Sequence, residues 1–269
     1  MFEISIAACS ECGQRASNED ALRVGATGRT HYAVLSDGAG GHERGAEASR
    51  RVVDHIEAAL RSAAAAFAGD HLTQALLSAH VALQLDQVGA QGRRRMHATV
   101  VALWIDTRHD RAVWSHVGDS RLHRLRYGAV DLVTADDSVV QRMLDGGALT
   151  PQQALDHPMK NLLLAAIGMP DGLEPHTLVQ PVPLDDGDAF LLCTDGWWGG
   201  LTDAQIIATL TDADTPQGWL DAMRELILAQ AAPGQDNFSA IAVWVTDPAE
   251  STQSMADTEA TVAAPLGAG

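Results

Sequence analysis

Between residues 98 and 134 the chain sets four short, β-branched segments in close succession, at 98–106, 111–117, 121–126 and 129–134, with turns as tight as Tyr127-Gly128 between them. Such segments read as strands, and connections this short join antiparallel neighbours. Strand-like alternation also occurs at 2–9 and 31–36, and later at 189–193 and 237–245. Helical spacing fills the intervals. From Glu43 to about Ala66 the only Gly or Pro is Gly45, and Val52, Val53, Ile56, Ala59 and Leu60 recur on one face. From about Asp70 to Val88, Leu72, Leu76, Ala79 and Leu83 do the same. Thr150-Pro151, Thr202 with Gln205, and Thr215-Pro216 carry the signatures of further helix starts. Two long helices after early strands and two more before the last strand do not make the regular alternation of a parallel sheet. The order predicts an α+β fold, with antiparallel sheets packed together and helices outside.

Composition narrows the function classes. The 269 residues carry a formal charge of −17, which argues against binding to nucleic acid or to an anionic membrane, because both need clustered Lys and Arg. Hydrophobic residues at 46% suffice for a packed core. The apolar runs fall well short of the ~20 residues that span a bilayer. The start of the chain, MFEISIAACSE, lacks the basic and apolar regions of a secretory signal. Three cysteines are too few for a disulfide framework, which points to a reducing, cytoplasmic setting. Residues 1–246 read as one domain, and residues 247–269, rich in Ala, Thr, Pro, Gly and acid, as a disordered tail.

The chemistry lies in where the aspartates stand. Asp37 follows the strand at 31–36, Asp119 the strand at 111–117 and Asp195 the strand at 189–193, while Asp236 opens the last strand. Glycine is adjacent at Gly38, Gly118 and Gly196. A single Asp-Gly is ordinarily a turn. Recurring at strand ends along the chain, such residues converge on a sheet rim, where carboxylates repel one another unless a cation sits among them. Hard divalent ions such as Mg²⁺ and Mn²⁺ take oxygen ligands of this kind. Zinc is a poor alternative, since no H-E-x-x-H occurs and Cys9-x-x-Cys12 has only Cys193 to join it. That Cys pair reads as two free thiols near a strand end, with a redox pair as the alternative. Gly38-Ala39-Gly40-Gly41 lacks the Lys-Ser/Thr of a phosphate-binding P-loop. Arg93-Arg94-Arg95 reads as a solvated loop, or else as a substrate-docking patch.

Taken in order, Arg15-x-x-Asn18-Glu19-Asp20, Asp37-Gly38-x-Gly40-Gly41, His97-Ala98-Thr99, Gly118-Asp119-Ser120-Arg121, Asp136-Asp137-Ser138, Thr194-Asp195-Gly196 and Gly234-Gln235-Asp236-Asn237 resemble the motifs of the metal-dependent Ser/Thr protein phosphatases of the PPM type, also called protein phosphatase 2C, over about residues 3–245. The resemblance implies an αββα layering of two antiparallel sheets between helices. It implies that Asp37 bridges two Mn²⁺ or Mg²⁺ ions, with the Gly38 carbonyl beside it. Asp195 and Asp236 would hold the first ion, Glu19 would reach the second, and Asp119 with Asp195 would offer a third. Asp20 and Asn237 would orient these ligands, and Arg15 would bind the substrate phosphate through its planar fork. Metal-activated water would then hydrolyse phosphoserine or phosphothreonine, reversing the work of a Ser/Thr kinase.

Three positions depart from the family pattern. Ala39 replaces a histidine proposed elsewhere as the leaving-group acid, for which His42 is the candidate in this chain. Asp137 stands where histidine is common, and Leu164-Ala165 where Thr-Arg is usual. The segment 145–158, with Gly146-Gly147, falls where bacterial members carry a flap; movement and a fixed surface helix pair are equally open readings. Two alternatives to a phosphoprotein phosphatase stand beside it, a non-catalytic binding module that keeps the fold and a metal-dependent hydrolase of small phosphate esters.

Overall fold

The computed structural model describes residues 1–39, 43–62, 66–89, 95–155, 157–170, 172–231 and 233–249. Gly40-Gly41, His42, Arg93-Arg94 and the tail from residue 250 onward lie outside the described residues. One sheet orders its strands β1 (Glu3–Glu11), β12 (Phe238–Thr246), β11 (Ala189–Cys193), β7 (Arg121–Arg126) and β8 (Ala129–Val133). The other runs β10 (Val182–Pro183), β6 (Arg111–Val117), β5 (Val100–Asp106), β3 (Thr30–Ala39) and β2 (Asp20–Thr27). The two-residue strands β4 (His97–Ala98) and β9 (His176–Thr177) add to β3 and β6 respectively. Every described pairing is antiparallel.

Strand periodicity explains the layering. Successive residues of β3 point to opposite faces. Ala33 and Leu35 join Val101, Leu103, Ile105, Leu122, Phe190, Leu192, Ile241 and Val243 in the core between the sheets. Tyr32 and Val34 face the other way, onto Val52, Val53, Ile56 and Leu60 of α1 (Glu43–Arg61) and Leu72, Leu76 and Leu83 of α2 (Gly69–Asp86). On the far side, Leu191, Ala240 and Ala242 meet Ile206 of α6 (Asp203–Thr211) and Trp219, Leu220, Met223 and Ile227 of α7 (Pro216–Gln230). The central strands are apolar on both faces because each face is covered. The result is the expected α+β sandwich, with two sheets back to back and helices outside each.

The helix starts behave as their sequences require. Thr202 and Gln205 form a reciprocal capping box, and the Thr215 hydroxyl accepts the Gly218 N–H at 3.0 Å ahead of α7. Ser138 caps α3 (Val139–Asp145), and α4 spans Pro151–Leu155. The strand expected at 98–106 is divided at Thr99, whose backbone N–H and side chain are both committed to Asp37. The first helix ends at Arg61 rather than near Ala66, and residues 63–65 lie outside the described set. Strand β2, the short strands β9 and β10, and α5 (Asp195–Trp198) are further elements that periodicity did not reveal. No described helix is long and apolar enough to cross a membrane.

Phe190 is fully buried between the sheets, its ring 6.5 Å from that of Trp114. Phe190→Ala should cost about 3–5 kcal/mol, measured as a lowered urea midpoint, because the facing sheets cannot collapse into the space.

Candidate metal centre

A cleft of about 300 Å³ opens at one end of the sandwich. Arg15, Glu19, Asp37, Gly38, Asp119, Asp195, Asp236 and Asn237 line it, joined by Ala39, Thr99, Asn161 and Leu163. Every one of the expected site residues except Asp20 and His42 therefore faces a single space. Asp20 stands behind it, and His42 is outside the described residues.

Each carboxylate is delivered by an element end. Asp37 lies near the end of β3, directly opposite Asp20 in the β2–β3 register. Asp119 sits in the turn between β6 and β7, Asp195 opens α5, and Asp236 precedes β12. The turn at Asp119 depends on Gly118, whose φ of +97° suits glycine and whose position would place a Cβ 2.7 Å from the Thr99 methyl. The Asp137 carboxylate accepts the Gly118 N–H at 2.9 Å, and its other oxygen lies 2.7 Å from His176 Nε2. The Trp198 indole N–H donates to the Asp119 carbonyl at 2.9 Å, while the Arg121 guanidinium stacks 3.5 Å over the same ring and forks onto Asp136.

Thr99 links two of the ligand positions. Its hydroxyl oxygen accepts the Asp37 N–H at 2.9 Å and lies 2.7 Å from the Ser120 hydroxyl, next to Asp119. The sequence placed Thr99 in a motif but gave it no task. Asn237 ties the first loop to the last strand. It accepts the Glu19 N–H at 2.9 Å and donates to the carbonyls of Cys12 and Ser17 at 2.9 and 3.0 Å. Arg15 Nη2 meets Asp236 Oδ2 at 2.6 Å, and its side chain remains half exposed at the cleft mouth. Cys9, Cys12 and Cys193 are all free, with Cys9 and Cys12 half-buried and Cys193 buried.

The electrostatics are those of a cluster short of positive charge. Burial, then Asp20, Asp195, Asp119 and Asp236, hold the Asp37 carboxyl well above the ordinary carboxylate range. Burial and Asp195 push Asp119 up to about 8. Burial raises Asp20 to about 7, against hydrogen bonds from Ser239 and Thr194, and burial with Asp236 raises Asp195 to about 6. Among the cleft-lining residues Arg15 is the single cation. The buried Asp195 Oδ1 and Asp20 Oδ1 atoms accept no hydrogen bond. Buried acceptors are rarely left so without a missing partner. The donor set is all oxygen, without Cys or His, which fits Mg²⁺ or Mn²⁺ and does not fit zinc.

These shifts fix a pH dependence. Carboxyls with raised folded pKa values bind more protons folded than unfolded, so they lose stabilisation as pH rises from the unfolded value through the folded one. Between pH 7.5 and 8.5 Asp119, held at about 8, titrates in the folded chain, while the histidines whose values burial depresses are largely neutral in both states. In chelator, the urea midpoint should therefore fall over that interval, and Asp119→Asn should flatten the slope. Mn²⁺ should raise the melting temperature, by about 2.7 kcal/mol of stability at a hundredfold excess over Kd.

The geometry can be set beside known proteins. The family model described as protein phosphatase 2C matches residues 10–237. The serine/threonine protein phosphatase PstP of Mycobacterium tuberculosis is 30% identical over 239 residues, covering 87% of this chain and 43% of that protein. This chain thus spans less than half the length of that relative. The protein phosphatase PhpP of Streptococcus pneumoniae is 29% identical over 254 residues, covering 91% of this chain and 98% of that one. A solved catalytic domain of PstP, in complex with 2 manganese ions, superposes with a TM-score of 0.78 at 28% identity, covering 92% of this chain and 100% of that one. With the family model matched across nearly all the strands and the cleft they build, the chain belongs to the protein phosphatase 2C family.

Proposed function

We propose that this chain is a metal-dependent serine/threonine phosphoprotein phosphatase. The observation that carries the reading is the convergence of Glu19, Asp37, Asp119, Asp195 and Asp236 on one cleft with Arg15 at its mouth. A degenerate binding module has no need to keep mutually repelling carboxylates together, so the complete set favours catalysis over the non-catalytic reading. The relative solved with 2 manganese ions supports the same assignment. Asp37 would hold both of two Mn²⁺ or Mg²⁺ ions with the Gly38 carbonyl supplied beside it, Asp195 and Asp236 the first, and Glu19 the second, with Asp119 and Asp195 offering a third position.

Bound there, the ions would supply hydroxide at neutral pH and Lewis-acid charge for a phosphoryl oxygen. The chain's own residues do the rest. Arg15 spends one N–H on Asp236 and presents its remaining fork at the cleft mouth, where it can take two oxygens of a phosphoryl group. Asn237 and Thr99 fix the backbones of Glu19 and Asp37, so little reorganisation is needed as charge develops. Asn161 and Leu163 form a wall beside these groups and face whatever flanks the phosphorylated residue. With Ala39 in the cleft and His42 outside the described residues, no described side chain is assigned to protonate the leaving alkoxide. The substrates are phosphoserine or phosphothreonine proteins, and the expected counterpart is a Ser/Thr kinase acting on them.

The test is phosphate release from a phosphothreonine peptide, with Mn²⁺ or with chelator, against a nucleotide monophosphate as the small-ester control. Release should require Mn²⁺ and favour the peptide. Asp37→Asn should abolish it, and Arg15→Ala should lower kcat/KM by about 10- to 100-fold, the worth of a charge-assisted hydrogen bond. Folded protein that releases no phosphate under any metal would favour the non-catalytic module, and preference for the nucleotide would favour the small-ester hydrolase.

A further inference from the structure

Gly45 is the one residue of α1 that its helical pattern does not explain. Glycine is among the weakest helix formers, yet it occupies the third position of a 19-residue helix and is buried there. Its surroundings supply a reason. A Cβ at Gly45 would lie 2.0 Å from Glu19 Oε2, 2.8 Å from Glu19 Cδ and 2.6 Å from the Gly38 carbonyl oxygen. Real Cβ contacts are never so short. The two groups that press on this Cα are the carboxylate assigned above to the second metal ion and the carbonyl placed beside Asp37 in the same centre. Gly38 returns the contact, since a Cβ placed on it would lie 2.0 Å from the Gly45 carbonyl oxygen. The approach is locked from both sides. The Gly38 N–H and the Ser49 hydroxyl both donate to the Glu19 carbonyl, at 3.1 and 2.5 Å, which ties the start of β2 to the end of β3 and to α1.

We propose that Gly45 is a positioning residue for the metal centre: by lacking a side chain it leaves the space in which the Glu19 carboxylate and the Gly38 carbonyl converge. The inference rests on the metal-dependent reading and extends it to a residue that touches neither substrate nor reacting atoms. The contact is asymmetric in a useful way. Glu19 Oε2 is the far end of a flexible side chain, whereas the Gly38 oxygen is backbone. An added methyl group should therefore displace the Glu19 carboxylate first, with the Gly38 contact costing some stability as well.

The experiment is calorimetric titration of the metal-free full chain with Mn²⁺, alongside thermal melting in chelator. Wild type should bind two ions. Gly45→Ala should melt below the wild type in chelator yet remain folded, and bind one ion unchanged, with affinity for the other reduced by about 10- to 100-fold. Glu19→Ala should weaken the same ion. The combined variant should lose less than the product of the two single losses, since both act on one position. Unchanged binding by Gly45→Ala, or losses that multiply, would overturn the proposal while leaving the metal reading intact. Failure of the wild type to bind Mn²⁺ would overturn both. Should Gly45→Ala not fold, melting of the combined variant decides. Recovery on removing the Glu19 side chain supports the proposal, and equal instability overturns it.

Discussion

Asp20 and Asp37 face each other across the β2–β3 ladder, in the register position where two like charges repel most directly. The surrounding architecture holds this pair in place. Thr194, at the end of β11, donates its hydroxyl to Asp20 Oδ2 and accepts the Ser239 N–H from β12, so both sheets contribute to one unfavourable carboxylate. Thr99 holds the Asp37 backbone and reaches Ser120 next to Asp119. Bonds that cross from one sheet to the other gather at this end of the sandwich because the acids do. A cluster arranged at such electrostatic cost is selected for what it binds, since its folded stability would improve without it.

Much of this was legible in the chain because strand ends are places where geometry leaves little choice. A residue at or just past the end of a buried strand lies at the sheet rim, and Asp37, Asp119 and Asp195 each do so. The tight spacing from 98 to 134 likewise admitted only antiparallel neighbours, and β6 and β7 fall where they were expected. What composition and spacing could not supply was the division of labour among the acids, which came from the family resemblance.

The elements that escaped notice have physical reasons in common. β2 is an edge strand with a half-exposed, irregular pattern, while β9 and β10 are two residues long and exist only through their partner β6. Thr99, Trp198 and His176 gain their tasks from residues 20 to 80 positions away, and local patterns carry no trace of such contacts. Asp137 is instructive. It accepts the Gly118 N–H and meets His176 on a neighbouring strand, so an acid and a histidine come together behind the Gly118 turn.

The excursion that carries α3 and α4 leaves and rejoins the body at a single point. The Val139 N–H donates to the Leu162 carbonyl, the Leu164 N–H donates to the Asp137 carbonyl, and Ser138 bridges to Leu163. The described residues between 139 and 162 thus hang from a closed neck, while Asn161 and Leu163, at that neck, line the cleft. Such an insertion can drift in length and sequence without transmitting strain to the acids on the floor. The acid cluster and the wall beside it are in this sense separately heritable. A lineage of such chains could rewrite one appendage while the acid cluster stayed fixed.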